Sequence, residues 1–239
     1  MANKIESALS RLIEELRAAY GDNLVSIVLY GSVAAGDHIE LRSDHNLLIV
    51  LKRITAHDLR LAQTTMLTWL SLKQPMPVFF TEEELERAAD VFPIEFRQME
   101  RARKILHGRD PFEFVEISNA NLRHQTEYEL RTKLIQLRRL YLATSGENLS
   151  GLIRDSFASF AALFRAVLTL HGHEAPVSKA ASVRATVNLL GLDGSPFEKI
   201  IQLRTKTTPA LTEDEATDLF STYMKQIERV IEAVDKLER

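Results

Sequence analysis

Residues 30 to 51, YGSVAAGDHIELRSDHNLLIVL, carry groups whose types and order suit phosphate chemistry. Gly31 and Ser32 close one apolar run, Gly36 follows, and Ser43, Asp44 and Asn46 open a second. A strand that ends in Gly-Ser turns backbone N–H groups and a hydroxyl toward an anion, and glycine lets a phosphate approach the main chain closely. An acid at the start of the next strand reaches the same spot when the two strands are neighbours, so Asp44 is a candidate ligand for Mg²⁺. Asn46 offers only a neutral amide oxygen, and a hard divalent ion prefers anionic oxygen. Plainer uses exist for the same residues. A Gly-Ser pair closes many turns, and Asp44 could cap or close the turn before its strand.

Two buried strands must hold these groups. NLVSIVLYG supplies Leu24, Val25, Ile27, Val28 and Leu29 and stops at Gly31, and Asn46–Leu51 is the second run. Before them, Ile5, Leu9, Leu12, Ile13 and Leu16 share one stripe of a helix over 4–20, with Gly21 at its C-terminal cap. After them, Thr55 and Asp58 are spaced as a capping pair for a helix reaching Lys73, and Thr81 with Glu84 repeats the pattern. Between these helices PMPVFF reads as a short strand whose prolines favour a sheet edge. His45, by strand alternation, points away from Asp44 and reads as structural, whereas Arg42 and Lys52 flank the run and could meet phosphates.

Past residue 115 the strand signals stop. Leu130, Leu134, Leu137 and Tyr141 define one helix face, and residues 152–170 are apolar nearly all round, as in the central helix of a bundle. A further helix ends at Gly191. Ser195, Pro196 and Glu198 read as the cap, first-turn proline and capping-box acid of the next. Thr212 opens the last helix, with Phe220, Tyr223, Met224, Ile227, Ile231 and Val234 along one stripe. The expected fold class is therefore α+β: a mixed α/β domain with a small sheet over residues 1–115, then a helical bundle over 116–239.

Composition sets the outer limits. The 239 residues are 45% hydrophobic and 26% charged with a net charge of −3, which suits ordinary globular domains and provides no broad basic field for nucleic acid. Cysteine is absent, which excludes disulfides, thiolate metal sites and a cysteine nucleophile. No run approaches the roughly 18 apolar residues of a membrane span, and the N-terminus is an amphipathic helix unlike a secretion signal, so a cytoplasmic location is expected.

The spacing Gly31-Ser32, Gly36, then Ser43-Asp44-x-Asn46 before LLIVL resembles the signature of the nucleotidyltransferase superfamily of the kanamycin-nucleotidyltransferase and minimal-nucleotidyltransferase type, which has a DNA polymerase β-like fold. The stretch FFTEEELERAADVFPIEFRQMERARKILHGRDPF resembles the end of such a domain, and the helical half resembles its helical partner domains, the HEPN group among them. The resemblance implies nucleotide binding at Gly31, Ser32, Gly36 and Ser43. It also implies three carboxylates holding two metal ions for in-line transfer of a nucleoside monophosphate. Two of the three come as Asp-x-Asp, which falls here on Asp44 and Asn46, so the catalytic pair is degenerate. The lost charge removes about 4 kcal/mol of attraction per unit positive charge at about 4 Å. The third carboxylate belongs on the following strand, at Met76 or Val78, and neither can ligate. Glu82, Glu83 and Glu84 lie just beyond, where acids suit a helix's first turn.

The resemblance therefore implies a nucleoside triphosphate ligand, weak or absent Mg²⁺, and a pseudoenzyme that binds nucleotide or regulates without efficient turnover. The alternative is an active Mg²⁺-dependent transferase acting on a small molecule, protein or RNA. A third reading rests on Arg165 and His171, similar in spacing to the pair of HEPN ribonucleases, which would make the chain a metal-independent nuclease or a toxin–antitoxin component. A spacing of six leaves these side chains about 120° apart around the helix. Beyond the nucleotide, the partners left open are a protein, an RNA and a second copy docked through the long helices.

Overall fold

A computed structural model describes residues 2–34, 44–144, 146–176, 178–205 and 211–237. The chain forms two compact units, Met1–Ser118 and Asn119–Arg239.

In the first unit, α1 (Ala2–Tyr20) precedes β1 (Leu24–Tyr30), and β2 (Asn46–Leu51) leads into α2 (Ala56–Ser71). Then come β3 (Val78–Thr81), α3 (Glu82–Arg87), α4 (Pro93–Arg101) and β4 (Arg103–Gly108). The sheet order is β3-β2-β1-β4, with β1 antiparallel to β2 and β4, and β2 parallel to β3. β3, preceded directly by Pro75 and Pro77, is an edge, as the prolines of this stretch predict.

The central strands read as continuous apolar runs because both their faces are covered. One face of β1 and β2 (Ile27, Leu29, Leu47, Ile49, Leu51) packs on Leu12, Leu16 and Tyr20 of α1 and Ala62, Met66 and Trp69 of α2. The opposite face (Val28, Leu48, Val50) packs on Leu85, Phe96, Met99, Phe112 and Ile117. Each aliphatic side chain buried this way contributes about 1.5–3 kcal/mol, which sets the β1–β2 register firmly.

The second unit contains α5 (Asn119–Ala143), α6 (Leu149–Leu170), α7 (Lys179–Leu190), α8 (Ser195–Arg204) and α9 (Glu213–Asp235). The apolar α6 is central, packing on α5, α7, α8 and α9. Phe160 of α6 meets Tyr223 edge-on at 6.1 Å, and Phe164 meets Phe197 at 5.8 Å. α9 opens at Thr212 as expected, with Thr212 and Glu215 forming a capping box, and Gly191 closes α7 in the left-handed region. The start of α8 differs from expectation. Gly194 is its N-cap, the Ser195 N–H donates to Asp193 Oδ1, and Glu198 pairs with Arg184 of α7 at 2.6 Å instead of capping. The acid is satisfied better by a guanidinium within reach than by one backbone N–H.

Among the described residues no helix is long and apolar enough to cross a membrane.

Candidate functional site at the open end of the first two strands

The register of the sheet decides what meets at this end. Tyr30, the last residue of β1, pairs with Asn46, the first of β2, so the Gly31 turn and the Asp44 segment lie side by side. Gly31 has φ +84°, a conformation open to glycine and strained for other residues. A Cβ placed there would stand 3.1 Å from Asn46 Nδ2, so the asparagine lies directly against the glycine.

The chain then turns through Ser32–Ala34, with Ser32 exposed and Val33 and Ala34 packed onto the core beneath. The Gly31 N–H itself donates to Ala102 O at 2.9 Å, just ahead of β4. The Gly31 N–H is thus not a free donor, a correction to the expectation of free N–H groups from Gly31 onward.

Asp44 is exposed and makes no hydrogen bond or ion pair with another described residue. Asn46 is half-buried. Gly36, Ser43 and Arg42 lie outside the described residues. His45 is structural in its surroundings: its backbone N–H donates to Gln74 Oε1 at 2.9 Å and its ring meets Trp69 edge-on at 6.3 Å. Its Nδ1 is buried with no partner among the described residues. Lys52, expected to flank the site, stands at the far end of β2, about 20 Å from Asn46 at roughly 3.3 Å per residue.

Among the described residues Asp44 is the one carboxylate on the segment that pairs with the Gly31 turn. Among the described residues no three of His, Cys, Asp and Glu cluster as a metal site. Leu48 pairs with Val78, and continuing that parallel register two residues back sets Met76 level with Asn46. Met76 is 51% exposed and apolar. The three acids after β3 are engaged elsewhere. Glu82 pairs with Arg109, Glu83 with Arg87 at 2.8 Å, and Glu84 caps α3 through Thr81.

Two residues unnoticed in the sequence complete the end of the sheet. Arg103 of β4 pairs with Tyr30, so Arg103, Tyr30 and Asn46 form one row on a single face across β4, β1 and β2. Burial pushes the Tyr30 phenol up. Arg103 is held by Asp110, through Nε at 3.1 Å and Nη2 at 2.7 Å, and lies over the Phe112 ring at 5.6 Å. Burial pushes the Asp110 carboxyl up, but the Arg103 guanidinium and the Phe112 N–H outweigh it and hold the group below its ordinary value. The signal that could have found Arg103 is weak. RKILHG is a short edge strand with two basic residues and a brief apolar centre, and its register is fixed by tertiary pairing.

In the second unit, Arg165 lies on α6 and His171 caps its C-terminus, with His171 Nδ1 2.8 Å from Val167 O. The structure makes His171 half-buried and tied to its own helix end.

No protein-family model and no curated protein matches the chain. Among solved structures it is similar to the spectinomycin adenyltransferase AAD(9) from Enterococcus faecialis, determined with ATP and spectinomycin, at a TM-score of 0.53 and 12% sequence identity. The match covers 97% of this chain and 99% of that one. At this identity the likeness is one of fold: a nucleotidyltransferase-like α+β fold with a helical C-terminal part.

Proposed function

We propose that this chain uses its nucleotidyltransferase-like fold to bind a nucleotide at the open end of β1 and β2, and that its two-metal chemistry is eroded, leaving a regulatory or binding protein without efficient turnover. The observation that carries this reading is Asn46. It pairs with Tyr30, rests against Gly31, and stands two residues past Asp44, where the superfamily's second carboxylate is expected.

Gly31 lets a phosphate approach the main chain, and the exposed Ser32 hydroxyl supplies a donor beside it. Asp44 is the one described carboxylate at this end able to hold a cation, and bound Mg²⁺ would there neutralise phosphate charge. An amide at residue 46 and a thioether at residue 76 supply no further charge, so a second ion has no anionic ligand among the described residues. The ATP held by the structurally similar adenyltransferase supports a nucleotide as the ligand.

Restoring the charges tests this reading. Asn46→Asp combined with Met76→Asp should raise Mg²⁺ affinity by on the order of tenfold or more in calorimetric titration. Val78→Asp, one row further in beside buried Leu48, should do less. No gain from either pairing would contradict the placement of the eroded site.

A second reading, transfer of a nucleoside monophosphate to a small molecule, is favoured by Asp44, whose carboxylate is exposed and unengaged among the described residues. The similar adenyltransferase holds spectinomycin as well as ATP. Transfer of labelled nucleotide to a small acceptor, lost in Asp44→Ala, would establish it, and absence of transfer from all four nucleotides would dismiss it.

A further inference from the structure

Arg103 stands in the row where the missing cation would be needed. Its neighbours Tyr30 and Asn46 are directly opposed residues, so adjacent Cα atoms lie about 5 Å apart and Arg103 is about two strand spacings from Asn46. The hydrogen bond from Gly31 N to Ala102 O ties the turn to the residue preceding Arg103.

The guanidinium is oriented yet not exhausted. It has five N–H donors. Nε and one hydrogen of Nη2 go to Asp110, and one hydrogen of Nη1 goes to Glu100 O, which leaves one on each Nη. The stem lies over Phe112 and the side chain keeps 23% of its surface exposed. A planar fork held by a carboxylate on one edge, with donors left on the other, suits an oxyanion of phosphate geometry.

We infer that Arg103 receives the phosphate charge of the bound nucleotide directly, with Asp110 as its positioning residue, so that binding at this end requires no divalent cation. This rests on the nucleotide-binding reading above. A guanidinium does part of what metal ions do for a triphosphate, neutralising charge, but supplies no activated hydroxyl and no second ion for in-line transfer. Binding therefore survives where turnover does not.

The test is titration of ATP into the full chain in EDTA, for the wild type, Arg103→Gln, Arg103→Lys and Asp110→Asn, with the thermal midpoint of each recorded. Arg103→Gln should weaken binding by on the order of tenfold, and Arg103→Lys should recover part of the loss. Asp110→Asn, which loosens the hold on the Arg103 guanidinium, should weaken binding by less than Arg103→Gln does. A purely structural pair predicts otherwise: both positions would lower the midpoint, ATP affinity measured well below it would be the same in every variant, and Arg103→Lys would recover none of it. ATP binding unaltered by Arg103→Gln, or weakened more by Asp110→Asn than by Arg103→Gln, overturns the inference and leaves the nucleotide reading standing. No ATP binding to the wild type with or without Mg²⁺ overturns both.

Discussion

The two ends of the β1–β2 pair are built on opposite plans. At the closed end, Asn23 and the start of α2 satisfy one another. Lys52 N donates to Asn23 O at 2.9 Å, and Arg53 N to Asn23 Oδ1 at 3.1 Å. Asp58, only 4% exposed, accepts from the Thr55 N–H and hydroxyl at 2.9 and 2.6 Å, while its carbonyl accepts from Tyr20 Oη at 3.0 Å. At the open end, Asp44 is exposed, Ser32 is exposed, and Arg103 keeps donors to spare. Polar groups at the first end are consumed by the fold, whereas those at the second remain available to a ligand. The difference separates a carboxylate engaged by the fold, Asp58, from one left unengaged among the described residues, Asp44.

The largest expected effect comes from removing what both ends stand on. Trp69 is 1% exposed, meets His45 edge-on and donates Nε1–H to Pro75 O at 3.1 Å. Trp69→Ala should cost about 3–5 kcal/mol, read as a lower urea midpoint. A loss under 1 kcal/mol would mean that the open end does not depend on this core.

Gly31→Ala should cost about 1–2 kcal/mol, because an L residue at φ +84° is strained and its Cβ presses on Asn46. It should also weaken nucleotide binding more than its stability loss explains. Unchanged binding would separate the turn from the cradle.

At the closed end the expected signature is pH dependence. The Thr55 hydroxyl, ahead of its backbone N–H and Arg53, holds the Asp58 carboxyl below its ordinary value. A depressed folded-state value means that the stabilisation is present above the unfolded carboxylate range, near pH 4, and is lost as pH falls through the folded value. Asp58→Asn should therefore lower the thermal midpoint at pH 7, and the gap from wild type should narrow below about pH 3. A gap that does not change with pH would refute the ionised cap.

The smallest expected effect on stability belongs to Asp44→Asn, within about 0.5 kcal/mol for an exposed side chain without a partner among the described residues. Urea unfolding checks it, and a larger loss would assign Asp44 to the fold.

Much of this contrast was legible in the sequence. Thr55-x-x-Asp58 and Thr81-x-x-Glu84 announced helix starts because capping is a local matter of spacing, and both boxes formed. The buried runs of β1 and β2 announced their strands. Asp44 and Asn46 were visible as types, and the pairing of Tyr30 with Asn46 brings their segment to Gly31. What was not legible is tertiary. The edge strand β4 carries Arg103 to Tyr30 through a register that no local pattern encodes. The mismatched start of α8 has the same cause, since Arg184 from another helix claims Glu198. Lys52 is near Asn46 in sequence but not in space, because the six-residue β2 separates the two.

The most direct measurement of the central claim is calorimetric titration of ATP, GTP, CTP and UTP into the wild-type chain, each with Mg²⁺ and with EDTA. Binding of at least one nucleotide that persists in EDTA is the predicted result. Binding that appears only with Mg²⁺ would contradict the eroded metal site, and no binding under either condition would contradict the cradle itself.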